Sequence, residues 1–337
     1  MKSFTKLFAS VAAVAAMTLT AAGCNASGKS AAGDKNGVTT VRVGITGATA
    51  PPTFLVLVAD KLGLAAQHKL KIKYVTLSPN VTAQALAKGS VDFVAAPSVE
   101  TAMLTGAPFK IVAGAAKSYW AFYADKGISD WSDLKGKRVG LPCGQAATCH
   151  SFMTNVLASH NVSSGSVTFI YGTAQGNYNA LDAGSVDAAL TTAPYTYALN
   201  TAGKTSQWDL SGTSPYLSTH ITSTSSFING HKKIVSDFVA AISEAQQKLS
   251  TLPIAPKILA EIGTFEKANG IDPATLDQER FLTDFAKNKS WQIVPTRAII
   301  AEDLKLLAAI PDLHDAAEGK SFDDLVYQLP QFEGQYE

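Results

Sequence analysis

The sequence predicts an α/β protein built from two similar lobes of parallel βαβ units, and three observations carry that prediction. A segment repeats: "ALAKGSVD" at 85–92 returns as "ALDAGSVD" at 180–187, identical at six of eight positions. A second mark recurs at nearly the same offset, "RVGI" at Arg42 and "RVGL" at Arg138. Between the marks, β-rich runs such as "IKYVT" and "VTFIY" alternate with helix-like spans, which implies parallel strands covered by helices on both faces.

The chain has 337 residues, enough for one large or two ordinary domains. It begins with Lys2 and Lys6, the apolar run "LFASVAAVAAMTLT", and small residues up to Cys24, the pattern of a secretory signal over 1–23. The apolar run is too short to span a bilayer. Residues 24–37, "CNASGKSAAGDKNG", are polar and rich in Gly, Ser and Ala, a flexible tether. Removing 1–23 takes away two lysines and turns the formal charge of +1 into −1. Near-neutral charge with four arginines (Arg42, Arg138, Arg280 and Arg297) argues against a nucleic-acid partner.

In the first copy the near-continuous apolar runs "VRVGI" and "VDFVAA" suit strands buried on both faces, with "PTFLVLVADKLGL" as the helix between. The second copy repeats the order, with "TCHSFMTNVLASHNV" as its first helix. Gly89 and Gly184 read as helix ends in the left-handed region, so Gly-Ser-Val-Asp is a structural signature rather than a ligand motif. After Thr219 the chain turns helical: "HKKIVSDFVAAISEAQQKL" places Ile234, Val235, Phe238, Val239 and Ile242 on one stripe. Pro253 reads as the opening of a further helix and Asp272-Pro273 as another start. This tail is expected to pack on the first lobe.

Two stretches resemble a known family. "WSDLKGKRVGLPCGQAATCHSFMTNVL" is similar to the DLKGK segment of solute-binding proteins of ABC importers, and both "AL-x-x-G-x-VD" copies fit the same NMT1/THI5-like branch, which serves sulfonates, taurine, nitrate and thiamine-pyrimidine precursors. "TAAGC" resembles the lipobox of bacterial lipoproteins, with Ala21 where Leu is usual. The resemblance implies a periplasmic-binding-protein-like fold of type II, two α/β lobes joined by crossing strands that close on a ligand. Lobe one would then comprise 38–117 and 220–337, and lobe two 118–219. Cys24 would be acylated and would hold the protein on the extracytoplasmic side of the cell membrane. The partners implied are a small molecule and the permease subunits of the transporter. A monomer is expected, with no cofactor and no metal.

In such folds ligands sit at the C-terminal ends of the strands. That singles out Thr46 and Gly47 after the first strand, Ser98 in "APSVET", Gly144, Gln145, Ala146 and Thr148 at the corresponding turn of lobe two, and Thr192 and Tyr195 in "TTAPYTY". A helix start at Gly144–Thr148 would bind an anion through free N–H groups. The family's anion binders often carry Gly-Ser followed by Ser or Thr here, and Gly144-Gln145-Ala146-Ala147 departs from that; Gln145 suits a neutral heterocycle equally well. Tyr119 and Trp120 lie at the expected hinge, and strand alternation turns one of them to the cleft as a plate for a flat ligand. Cys143 and Cys149 could pair outside the cytoplasmic membrane, but six residues across a helix start weigh against the bond. Glu100 reads either as a site for a cationic amine or as a helix-start carboxylate.

Two other functions compete. An enzyme of thiamine-pyrimidine synthesis would share the fold, but those enzymes are cytosolic and carry a "CCCFC" run that this chain lacks. A structural lipoprotein would leave the cleft without a role.

Overall fold

A computed structural model describes residues 37–96, 99–117, 120–145, 147–203, 205–208, 210, 216–271 and 277–337. The expected signal, tether and Cys24, and the Asp272-Pro273 start, lie outside them.

The first copy runs β1 (Thr39–Ile45), α1 (Pro51–Lys61), α2 (Leu64–Gln67), β2 (Leu70–Thr76), α3 (Thr82–Ala87), β3 (Phe93–Ala95), α4 (Glu100–Leu104) and β4 (Phe109–Lys117). The second runs β5 (Ala121–Asp125), β6 (Arg138–Leu141), α5 (Thr148–Ser159), β7 (Thr168–Tyr171), α6 (Ala174–Asp182), β8 (Ala188–Thr191), α7 (Tyr195–Ala202) and β9 (Thr205–Trp208). Then follow β10 (Leu217–Thr224), α8 (Ser225–Gly230), α9 (Lys232–Ser250), α10 (Pro256–Ala268), α11 (Gln278–Lys287), α12 (Arg297–Ala308), α13 (His314–Glu318) and α14 (Phe322–Leu325).

The strands form two five-stranded sheets, β2-β1-β3-β10-β4 and β7-β6-β8-β5-β9. Position for position, β1, β2 and β3 correspond to β6, β7 and β8, all parallel. The sheets are mixed rather than purely parallel, because β10 and β5 run antiparallel to their neighbours. These are the strands by which the chain enters each lobe. Leu217 of β10 pairs with Lys117 of β4, so the chain leaves sheet one and returns to it at the same place. The two Gly-Ser-Val-Asp segments precede β3 in one sheet and β8 in the other.

The physical role of the repeat is visible in its charges. Asp92 accepts from the Arg42 backbone N–H at 2.7 Å, from Nε at 3.1 Å and from the terminal guanidinium nitrogen at 2.6 Å. Asp187 meets Arg138 in the same way, at 2.8 Å through the backbone and 3.2 Å through Nε. Gly89 and Gly184 sit at φ +64° and +70°, a conformation that side chains rarely adopt, and turn each chain from helix into strand. Each copy of "RVG" is thus clasped by its own copy of "GSVD".

Lobe one's core gathers around α1 and α9. Pro51 and Pro52 open α1 with pre-set φ, and residues 51–59 are all buried, as expected for a helix covered on every side. From α9, Val235, Phe238, Val239, Ile242, Ala245 and Leu249 face inward, and Phe93 stacks on Phe238 at 4.2 Å. The following helix begins at Pro256 rather than at Pro253, which follows a cis peptide bond. Apolar residues of the tail join lobe one's core, Leu306 of α12 touches lobe two's core, and Asp303 accepts the Leu217 N–H at 2.9 Å.

Candidate functional site

Three strand ends and two chain crossings meet between the sheets. From lobe one, residues 46–50 leave β1 and turn into α1. This helix start is sealed. Pro51 and Pro52 carry no N–H, the Thr53 amide donates to the Ala50 carbonyl at 2.9 Å, and its hydroxyl donates to the Gly47 carbonyl at 2.8 Å.

Lobe two presents a helix start of the opposite kind. Gly172 and Thr173 follow β7, and the Thr173 hydroxyl caps α6 by accepting the Gly176 N–H at 3.0 Å. Ala174 and Gln175 are the first two helical residues, so their amides have no intrahelical acceptor. Pro142 from the end of β6 stands beside them.

The crossings supply Trp120 and Thr219. The Trp120 indole N–H donates to the Tyr216 hydroxyl, which fixes the ring. Thr219 is buried and its Oγ1 has no hydrogen-bond partner among the described residues. Tyr195 opens α7, and its hydroxyl meets Thr49 Oγ1 at 2.8 Å, a bond between the lobes. Burial, opposed by that bond, pushes the phenol up to about 12, so it stays neutral at ordinary pH. Ile271 from the helical tail packs against Tyr195, and Tyr178 stacks on it at 5.7 Å.

Together these residues enclose a cavity of about 150 Å³ lined by residues 46–50, Trp120, Pro142, residues 172–175, Tyr195 and Thr219. No charged side chain lies in this lining among the described residues. What it offers is a ring face, two free amides, hydroxyls and the Gln175 side-chain amide. A second, wider space of about 500 Å³ also borders Trp120, lined by Thr192, Tyr197 and residues of α11.

Of the residues singled out from the sequence, the structure brings Thr46, Gly47, Trp120 and Tyr195 to the first cavity and Thr192 to the second. Gly144, Gln145 and Thr148 line neither. Ser98, Tyr119 and Ala146 lie outside the described residues. The reason for Gly144–Thr148 is local. Cys143 and Cys149 are disulfide-bonded, with Cα atoms 6.3 Å apart, which is within reach despite the helix start between them. Both cysteines belong to lobe two's core, and α5 starts only at Thr148, itself buried. Gln145 is left exposed to solvent.

Glu100 takes the second of its two expected roles, as the carboxylate that opens α4, and it is buried inside lobe one rather than in the cleft; there His220 Nε2 meets its carboxylate at 3.0 Å and His220 Nδ1 meets Thr222 at 2.9 Å. Residues 172–175 and Thr219 are not among the residues the sequence points to, whereas Thr49 lies in the loop that follows the first strand. The signal for the first was present in "YGTAQGN", a β run ending at Gly-Thr before a helix. The repeat pointed elsewhere, because residues 46–50 correspond to 142–146 by offset.

No curated protein matches the sequence. Among solved structures, the alkanesulfonate-binding protein SsuA from Xanthomonas axonopodis pv. citri, bound to MOPS, is 22% identical with a TM-score of 0.60, over 83% of this chain and 93% of that one. SsuA from Escherichia coli, the periplasmic aliphatic sulphonate binding protein, is 17% identical with a TM-score of 0.63, over 88% and 94%. The periplasmic nitrate-binding protein NrtA from Synechocystis PCC 6803 is 14% identical with a TM-score of 0.65, over 86% of each chain. At these identities the likeness is one of fold: two α/β lobes in the arrangement of periplasmic binding proteins. The family model described as NMT1/THI5 like matches residues 51–254, from the start of α1 through both lobes into the helical tail, and the chain belongs to that family.

Proposed function

We propose that the protein is the extracytoplasmic, lipid-anchored substrate-binding component of an ABC import system, capturing a small molecule between its lobes. One observation carries the reading: the cavity is built from the strand ends of both lobes and closed by the Thr49–Tyr195 bond, so a ligand there is held by both halves at once. The proteins of similar fold named above bind sulfonates or nitrate. The uncharged wall supports capture rather than catalysis. Among its described residues it has no His, Cys, Asp, Glu or Lys to act as base or nucleophile. A sulfonate- or nitrate-like anion would lie against the free amides of Ala174 and Gln175, and a thiamine-precursor-like heterocycle would lie flat on Trp120.

Mass spectrometry of small molecules released from the purified protein identifies the ligand. Calorimetry with that ligand should then show Trp120→Ala binding about 10- to 100-fold more weakly, and Trp120→Phe recovering part of the loss. Equal affinity in wild type and Trp120→Ala would place the ligand elsewhere.

The anchor has its own test. A Cys24→Ser variant in the native host should remain unprocessed or be released from the membrane. Cleavage and membrane fractionation like wild type would refute acylation at Cys24. No helix among the described residues is long and apolar enough to cross a membrane.

A further inference from the structure

The interlobe space has two compartments of different character, and Trp120 walls both. The inner one, about 150 Å³, is uncharged among its described lining residues. The outer one, about 500 Å³, is lined by Lys117, Tyr197, Asp284, Asn288 and Ser290 among others. Asp284 is engaged: it accepts the Tyr197 hydroxyl at 2.8 Å and lies 3.8 Å from Arg280, whose guanidinium sits 4.2 Å over the Tyr197 ring. Lys117 is different. It is the cationic side chain of this lining, and its ammonium has no hydrogen bond or ion pair among the described residues.

In the inner compartment an anion would meet amide and hydroxyl donors but no countercharge among the described residues. In the wider compartment an acid keeps much of its hydration and still meets Lys117. A planar group against Trp120 is then one ring away from a site that favours an anion. We propose that the captured molecule is a ring-bearing acid, its uncharged planar end in the inner compartment and its carboxylate, sulfonate or phosphate group in the outer one beside Lys117. This rests on the receptor reading and adds the ligand's class and polarity to it. Lys117 ends β4 at the crossing between lobes, so the contact is made at the hinge itself.

The test uses matched probes, 3-phenylpropionate and 3-phenylpropionamide, titrated calorimetrically into the full mature chain at about 50 mM and about 300 mM salt. The acid should bind about tenfold more tightly than the amide at low salt, with the difference shrinking at high salt. Lys117→Gln should remove the preference for the acid over the amide, and Lys117→Arg should retain it. Equal binding of acid and amide to wild type would overturn the inference. So would a preference that survives Lys117→Gln, no binding of either probe, or methanesulfonate binding as tightly as the ring acid. The receptor reading stands or falls separately, on whether any small molecule co-purifies with the protein.

Discussion

Replacing Asp92 with alanine should cost about 3–5 kcal/mol of stability, the scale for breaking a buried ion pair by removing one partner. The Asp92 side chain is 2% exposed and Arg42 19%. The carboxylate binds three Arg42 nitrogens at once, and its hydrogen bonding to the guanidinium raises that group's pKa further above its ordinary value. Without it the backbone N–H of Arg42 is left unpaired and a cation remains half-buried. The duplicated pair provides an internal control. Arg138 and Asp187 make the same contacts at 46% and 27% exposure, so Asp187→Ala should cost about 1 kcal/mol or less. Urea unfolding of both variants measures the difference. Equal midpoints would show that burial does not set the strength of the clasp.

Much of the fold was legible because it is written twice. The two copies of "RVG" and "GSVD" located corresponding strands in two lobes, and the positive-φ glycines follow from the helix–Gly–strand pattern. The clasp has its own signal in the sequence: an arginine and an aspartate recurring at nearly one offset, Arg42 with Asp92 and Arg138 with Asp187, are a charge pair repeated. The amphipathic stripe of α9 was legible for the usual reason, its 3.6-residue spacing. The site was half legible. Strand ends can be recognised in sequence and point to Thr46, Gly47 and Tyr195, and the expected hinge points to Trp120. Which helix start faces the cleft depends on long-range placement. Local pattern could not tell that the Cys143–Cys149 bridge ties the 144–148 loop to lobe two's core while the α6 start reaches the cavity. Nor does local pattern show that Glu100 finds His220, 120 residues away.

Glu266→Gln should stabilise the protein at alkaline pH, by about 2–4 kcal/mol at pH 8.5. Glu266 on α10 is wholly buried, and burial pushes its carboxyl up to about 8 against the opposing pull of the Gln278 hydrogen bond. Below about pH 4.5 the carboxyl is protonated in folded and unfolded chains alike and contributes nothing. As pH rises from about 4.5 to about 8, the unfolded chain releases the proton while the folded one keeps it. Stability therefore falls across that window and levels off above it. The neighbouring atoms fit a protonated carboxyl. Gln278 Nε2 donates to Glu266 Oε1, while Glu266 Oε2 and Gln278 Oε1 are two buried acceptors without partners among the described residues. A proton on Oε2 turns the pair into a donor and an acceptor and closes a cyclic acid–amide dimer. An amide at 266 makes the same two bonds at every pH. The Ile271 amide binds the Glu266 carbonyl at 3.0 Å, and Ile271 packs on Tyr195, so the pair sits beside the contact that holds the lobes together. Unfolding free energies measured from pH 4.5 to 9 should decline for wild type and stay level for Glu266→Gln at this site. Parallel curves would mean that Glu266 is ionised in the folded protein and that the two orphaned oxygens have another explanation.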